Sequence, residues 1–218
     1  MKNNIIRVLL LGLILISNIG FAQMDVANEP HHINLFKNDK IQILNGDLKK
    51  GDTSFFHKHS RPSLVFVFTD SHTNGQDQNK EWKENSRKAG TLVFKPFDTP
   101  QIHRTTNLNN ENYQMHDVEI LKTPNETNLQ PLKAFEASIE LKNKHLFAYR
   151  KTLENASVSF QARKITLVTI IKGERIRSTV NNKTSKYYTK KDFFVLKPGD
   201  KIKLGKSINA EIIITEFL

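Results

Sequence analysis

The sequence predicts an all-β protein of the jelly-roll type, made of two tandem units, and two observations lead to this prediction. Short apolar segments separated by turn-forming residues follow one another along the chain, and few windows have the 3.6-residue period of a helix. The second half of the chain also repeats the pattern of the first half, and internal repeats indicate a repeated architectural unit.

Candidate strands in the first half are bounded by turn sequences such as Lys50-Gly51-Asp52 and Asn74-Gly75. Short strands at this spacing are typical of a double-sheet jelly roll or a small barrel. The segment Lys133–Lys142 has partial helical spacing and is either a short helix or an arm packed on a sheet. The eight candidate strands are Ile33–Phe36, Ile41–Leu48, Thr53–His59, Leu64–Thr69, Glu81–Glu84, Thr91–Lys95, Ile102–Thr106 and Tyr113–Leu121.

The repeat is clearest where Lys191–Asp200 aligns with Ala89–Asp98, because both segments run from an apolar strand through Lys-Pro into a turn. We therefore predict a first unit over residues 23–122, a linker over 123–132 and a second unit over 133–218. The alternative is that the two halves share only turn chemistry, since a strand followed by Pro-Gly-Asp is common in all-β proteins.

Three histidines on two candidate strands form a candidate metal site. His57 and His59 are two positions apart, so their side chains point to the same face of a strand, and His103 lies on another strand. Imidazole nitrogens suit zinc, iron, copper and nickel, and three of them can close three sides of an ion. The alternatives are a metal-free polar pocket and ordinary core or surface histidines.

The first histidine segment resembles the first motif of the cupin superfamily. That motif is a glycine, five residues, His-x-His and then a glutamate, and Gly51, His57 and His59 match it. The glutamate position holds Ser63 or Leu64 instead. The usual set of metal ligands therefore lacks its carboxylate.

The second histidine segment resembles the second cupin motif. Gly90, Pro96, His103 and Asn107 match the glycine, proline, histidine and asparagine of that motif. The turn after Pro96 is longer than usual, so strict counting places Gln101 at the ligand position. The His-x3-Asn spacing favours His103.

The resemblance covers roughly residues 30–121 and implies a double-stranded β-helix with a three-histidine site for a divalent metal: iron, zinc, nickel or manganese. It implies a small-molecule ligand and an oxygenase or isomerase activity, although the fold hosts many chemistries. The alternative is a non-catalytic module without metal, which binds a small ligand or makes contacts in the cell envelope. The sequence leaves open whether the protein is an enzyme.

The second unit is predicted to be degenerate. By alignment, Phe160, Ala162 and Gly205 take the places of His57, His59 and His103, and no histidine follows His145. The second unit is therefore expected to support the first, either by covering a sheet edge or by packing face to face.

Four further residues are candidates to line a pocket beside the histidines. Ser63 and Gln101 follow from the motif positions, and His116 lies on a strand in phase with apolar residues. Trp82 is flanked by charged residues that prefer water, so its ring is expected to face the barrel. Ordinary core packing is the alternative for both Trp82 and His116.

Residues 1–22 have the pattern of a secretory signal peptide. Lys2 and Arg7 precede the apolar run Val8–Ile16, and a small-residue site at Ala22 follows. We therefore expect cleavage near Ala22 and a secreted or periplasmic protein. The mature chain has no second apolar stretch and no cysteine, so neither a stable membrane anchor nor a disulfide framework is expected.

The chain carries a formal net charge of +11, from 33 Lys and Arg against 22 Asp and Glu. The basic residues are interleaved with acids rather than gathered in one patch, so nucleic acid is not expected as a partner. A small molecule is the expected ligand, and exposed sheet edges make a homodimer possible.

Overall fold

The computed structural model describes residues 23–122, 129–154, 157–183 and 185–218. The predicted signal peptide and residues 123–128 of the predicted linker lie outside the described residues. Across the four described ranges, the regular structure consists of β-strands and two short 3-10 turns, so the all-β prediction is confirmed. No helix in these ranges is long and apolar enough to cross a membrane.

The first unit has ten strands in two sheets. They are β1 (Met24–Asp25), β2 (His32–Lys37), β3 (Ile41–Leu48), β4 (His57–His59), β5 (Ser63–Val67), β6 (Ser71–Asp77), β7 (Trp82–Arg87), β8 (Leu92–Lys95), β9 (Gln101–Asn107) and β10 (Tyr113–Ile120). Sheet A has the strand order β1-β4-β9-β6-β7, and sheet B has the order β2-β3-β10-β5-β8. Neighbours in space are distant in sequence, as in a jelly roll.

The second unit has nine described strands. They are β11 (Ile139–Lys142), β12 (Leu146–Thr152), β13 (Val158–Gln161), β14 (Thr166–Lys172), β15 (Ile176–Val180), β16 (Lys186–Tyr188), β17 (Phe193–Leu196), β18 (Lys201–Leu204) and β19 (Glu211–Phe217). Sheet C has the order β11-β12-β19-β14-β17, and sheet D has the order β13-β18-β15-β16. Sheet C thus repeats sheet B, and sheet D repeats four strands of sheet A. The predicted pair of jelly-roll units is confirmed.

Some local expectations were wrong. Asn74-Gly75, predicted as a turn, lies inside β6, and the turn follows at Asn79, which has a φ of 62°. The reason is that β6 pairs with strands on both sides, so two ladders hold it extended. The segment Lys133–Lys142, expected to be a short helix or an arm packed on a sheet, is a 3-10 turn at Lys133–Ser138 followed by β11, which pairs with β12 in sheet C.

Sheet B and sheet C pack against each other through their apolar outer faces. Full burial of a large aliphatic or aromatic side chain is worth about 1.5–3 kcal/mol, so this shared face is a main source of stability. Arg150 of the second unit also donates a hydrogen bond to the Gly90 carbonyl of the first, at 2.6 Å. The buried residues of this inter-unit core are Ile41, Ile43, Leu64, Phe66, Phe68, Val118 and Ile120 with Leu146, Ala148, Leu167, Ile171, Ile213 and Phe217.

The two barrel interiors differ in chemistry. Alternate residues of a strand face opposite sides, so the strands that supply the inter-unit core also line a barrel. The second barrel is filled by apolar side chains such as Phe147, Ile170 and Ile212. The first barrel encloses buried polar groups, among them His57 and Asp117, around a cavity. Sheets of matching strand order thus surround a solid apolar core in one unit and a polar chamber in the other.

Candidate metal centre

The register between β4 and β9 brings the predicted histidines together. On these antiparallel strands His57 lies directly opposite His103, and His59 lies opposite Gln101. Side chains opposite each other on one face are separated by about 4.5–5.5 Å at Cβ. The three imidazoles therefore converge on one side of sheet A, facing the interior of the first barrel.

The three rings form a closed triangle. Ring centres are 4.7 Å apart for His57 and His103, 5.0 Å for His57 and His59, and 5.0 Å for His59 and His103. One nitrogen from each ring lies within 4.8 Å of the others. His57 is 2 % exposed and His59 5 % exposed, so the cluster is shielded from bulk water.

Hydrogen bonds orient part of this cluster. The Nδ1 of His57 lies 2.8 Å from the Phe55 carbonyl oxygen, which can only accept, so Nδ1 carries the proton and Nε2 offers a lone pair. The Nδ1 of His59 lies 3.4 Å from Oδ2 of the buried Asp117. The Nε2 of His103 is buried and makes no hydrogen bond with any described residue.

The buried environment keeps these imidazoles neutral. Burial, with the neighbouring His103, lowers the pKa of His57 to about 3. Burial and the same neighbour lower the pKa of His59 to about 2, and burial and His32 lower that of His103 to about 4. A neutral imidazole is the form that binds a metal, so protons do not compete for these nitrogens near neutral pH.

The other motif residues shape the backbone around the cluster. Gly51 and Gly90 have φ values of 79° and 88°, which only glycine adopts without strain. Asn107 is fully buried, and its Nδ2 donates to the carbonyl oxygens of Leu48 and Glu111 at 2.9 and 2.8 Å. Gly51 lies in the turn that precedes β4, Gly90 in the turn that precedes β8, and Asn107 fixes the end of β9.

Phe97 is a feature that the motif comparison did not predict. It has a φ of 44°, in the left-handed region that bulky residues avoid. Its ring stacks on His59, with centres 4.9 Å apart and planes 16° from parallel. The strained backbone of this turn therefore places an aromatic wall against the cluster.

Two residues before the first motif also join the cluster. His32 is buried, and its ring centre lies 4.8 Å from that of His57. Glu29 accepts a hydrogen bond from Nδ1 of His32 at 2.7 Å. Neither residue was predicted to belong to the site, although the close spacing of an acid and a histidine pair in Glu29-Pro-His-His32 could have indicated them.

A cavity of about 700 Å³ opens beside the histidines. Of the four predicted pocket residues, Ser63 and Gln101 line it. Trp82 does not, because it is 38 % exposed and stacks under the Arg104 guanidinium at 4.7 Å. His116 does not either, because it points to the opposite face of sheet B, where it contacts Phe68 and, from the second unit, Phe193.

Charged side chains of both signs line the same cavity. Lys95 lies near the cluster, where its charge helps to lower the pKa of His59 and His103. Burial raises the pKa of the Asp117 carboxyl, although His32 opposes this. The cavity also takes in Asp77 and Arg87, so it can hold a ligand with polar or charged groups.

The corresponding place in the second barrel is apolar. There β13 and β18 take the positions of β4 and β9, and Phe160 lies opposite Ile202. Phe160 takes the place of His57, so the counterpart of His103 is Ile202. The prediction from the alignment, Gly205, was wrong. The difference arises because the turn after Pro198 is shorter than the turn after Pro96.

The residues present fit a divalent metal. Three neutral imidazoles each place one nitrogen within 4.8 Å of the other two, and imidazole suits iron, zinc and nickel. Polar atoms next to them are left without hydrogen bonds to any described residue: Nε2 of His103, Oγ of Ser63 and Oδ1 of Asp117. Buried polar groups are normally paired, so these atoms indicate a missing partner, which an ion and its water ligands would supply.

No family model and no curated protein matches this sequence. Solved structures do match it over most of the chain. AerE from Microcystis aeruginosa has a TM-score of 0.62 at 10 % identity and covers 87 % of this chain and 98 % of its own. The protein Ylba from E. coli has a TM-score of 0.62 at 9 % identity and covers 91 % of this chain and 88 % of its own.

A salicylate 1,2-dioxygenase from Pseudaminobacter salicylatoxidans is also similar. Its TM-score is 0.60 at 12 % identity, with 85 % of this chain and 75 % of that chain covered. At these identities the likeness concerns the fold. Together with the two jelly-roll units, it shows that the chain has the two-domain cupin fold.

Proposed function

We propose that the first barrel binds a divalent metal ion through His57, His59 and His103, and that a small molecule reacts in the adjoining cavity. The metal is iron, zinc, nickel or manganese, and the reaction class is an oxygenation or an isomerisation. The observation that carries the proposal is the buried triangle of neutral imidazoles at the wall of a cavity of about 700 Å³.

A bound metal would supply Lewis acidity toward a carbonyl or phenolate oxygen, or a site for oxygen. The protein's own residues would do the rest. Phe55 fixes the ring of His57 through its carbonyl, and Phe97 closes one side of His59. Lys95 and Arg87 offer positive charge to an anionic substrate in the cavity. The likeness to a protein named as a dioxygenase supports the oxygenation class.

The test is elemental analysis of the protein purified without a histidine tag. Wild type should contain about one divalent metal per chain, and the His57→Ala/His59→Ala variant should contain almost none. His72→Ala is the matched control, since His72 is partly exposed and pairs with Glu84 at 2.9 Å away from the cluster. Absence of metal from wild type after reloading, or equal metal in wild type and the double variant, would sink the proposal.

A second candidate function is a metal-free module that binds a small ligand. The cavity favours it, because charged groups such as Asp77 and Arg87 line the chamber along with the histidines. Thermal shifts of chelator-treated protein with panels of diketones, thiols and phenols would separate the two functions. A shift that does not depend on metal supports the module, and oxygen uptake that appears only with metal supports the enzyme.

We also propose that the mature protein acts outside the cytoplasm and is supported there by its second unit. The pattern of residues 1–22 supports the location. The edge strand β2 exposes Ile33 at 59 % and Leu35 at 45 %, which supports a homodimer through this edge. N-terminal sequencing of the exported protein and its mass in solution would test these points.

A further inference from the structure

The N-terminal arm of the first unit reaches the metal centre. Its β1 pairs in parallel with β4, so that Met24 lies beside His57. The arm then makes a 3-10 turn at Val26–Asn28 and crosses to sheet B, where His32 pairs with Gly46. The residues that connect β1 to β2 therefore pass along the edge of the histidine cluster.

Glu29 anchors this crossing. Its side chain is fully buried, and its Oε1 accepts hydrogen bonds from Nδ1 of His31 at 2.8 Å and from the Phe55 N–H at 3.1 Å. Its Oε2 accepts from Nδ1 of His32 at 2.7 Å and from the His31 N–H at 2.9 Å. Burial alone would raise the pKa of Glu29, but the hydrogen bonds from His32 and His31 lower it to about 2. A carboxylate held by four donors is fixed in position and charged.

The hydrogen bond that His32 donates to Glu29 determines which ring nitrogen His32 can offer to a metal. Because Nδ1 of His32 donates to the carboxylate, its Nε2 is left with a lone pair. The ring of His32 lies 4.8 Å from that of His57 and 6.5 Å from that of His59. A ligand atom of His32 lies within 4.8 Å of those of His57 and Glu29, so His32 stands directly beside the three-histidine cluster and shares His57 with it.

We propose that His32 is a fourth protein ligand of the metal and that Glu29 is its positioning residue. This inference rests on the proposed metal site. The first motif lacks the glutamate that the resemblance led us to expect, and Ser63 is too short to replace it. His32 would fill the vacant coordination position from a different strand, and Glu29 would supply the negative charge through the imidazole. Such carboxylate–histidine–metal arrangements raise the basicity of the ligand.

The experiment loads wild type and variants with Co²⁺, whose visible absorption spectrum depends on the number and geometry of its ligands. The key variant is His32→Asn, because its side-chain amide can still donate to Glu29 and hold the arm. His72→Ala is the matched control, since His72 is partly exposed and pairs with Glu84, outside the histidine cluster. Far-ultraviolet circular dichroism and thermal melts of the metal-free proteins verify that each variant folds.

We expect His32→Asn to change the Co²⁺ spectrum and to weaken binding by about ten-fold or more in competition with a chelator, whereas His72→Ala should change neither. Glu29→Gln should weaken binding by about 10–100-fold, the range seen for partners of metal ligands. A His32→Asn protein with the spectrum and affinity of wild type would overturn the inference but leave the three-histidine site intact. Wild type that binds no Co²⁺ would instead contradict the proposed function.

Discussion

His57 and His103 lie directly opposite each other on antiparallel strands, with ring centres 4.7 Å apart. This single pairing determines which residues of the two motifs meet. Gln101 shares the face of His103 but lies opposite His59, and its amide donates to Asp77 instead. Because the turn after Pro96 is longer than in the motif, His103 takes the ligand position that strict counting gave to Gln101.

The pairing of His57 with His103 predicts that substitutions of His103 and of Gln101 have different effects on metal content. His103→Ala should abolish stoichiometric metal, because only two imidazoles of the triangle remain. Gln101→Ala should retain metal within about two-fold of wild type, since its amide is committed to Asp77. Metal content by mass spectrometry checks both variants, and loss of metal in Gln101→Ala with retention in His103→Ala would reverse our assignment.

The strained turn at Phe97 predicts an order of stabilities. Alanine at this position would keep the cost of a positive φ, about 1–2 kcal/mol for a residue with a Cβ, and would lose the stacking on His59, worth about 0.5–1.5 kcal/mol. Phe97→Ala should therefore be less stable than both wild type and Phe97→Gly, because in the glycine variant relief of the positive φ offsets the lost stacking. Urea unfolding at neutral pH measures this order. A glycine variant less stable than the alanine variant would show that φ is not strained here.

His116, between the two units, predicts a loss of stability in acid. Burial, aided by Lys191, lowers its pKa from 6.5 to about 4. Below about pH 6.5 the unfolded chain binds a proton that the folded chain excludes, so stability falls as the pH drops from 6.5 toward 4. His116→Phe should remove up to about 2 kcal/mol of the loss between pH 7 and pH 4.5.

Unfolding of metal-free wild type and His116→Phe at the two pH values measures this effect. The partly exposed His72 provides the control, because His72→Ala should leave the pH dependence unchanged. The same acid loss in His116→Phe and wild type would assign the sensitivity to other buried groups.

Substitutions in the inter-unit core are expected to lower the free energy of unfolding without reducing the metal content. Ile213 is fully buried in this core, so Ile213→Ala should cost about 2–5 kcal/mol. Ile208 is 79 % exposed, and Ile208→Ala should stay within about 0.5 kcal/mol of wild type. Chemical denaturation checks the energies, and metal analysis should find both variants loaded like wild type. Loss of metal in Ile213→Ala without unfolding would show that the second unit acts on the site itself.

The sequence predicted the fold class and the histidine triangle because both depend on short-range patterns. Alternating residues define the face of a strand, and the spacing of His57 and His59 fixes their common side. Gly51 and Gly90 mark positive φ angles that a sequence reader can expect from turn chemistry.

The remaining members of the site depend on contacts that no local pattern encodes. His32 reaches the cluster only because its arm crosses from sheet A to sheet B. His116 was expected near the cavity because it alternates with apolar residues, yet in sheet B the apolar face is the one covered by the second unit. Asp117, one position later, faces the cavity instead. The sequence shows which face of a strand is apolar, but it does not show which element packs against that face.

The packing of sheet B on sheet C has a consequence for how this protein can be divided. A barrel that keeps a polar chamber gives up much of the apolar burial that normally stabilises a domain of its size. Residues 23–122 produced alone would expose the side chains of Ile43, Phe66 and Val118 as one continuous apolar surface. Such a fragment should aggregate or require detergent, whereas the second unit has an apolar interior of its own. The chain is therefore best regarded as one cooperative folding unit. The apolar second unit stabilises a first unit whose interior is polar and can bind ligands of varied chemistry.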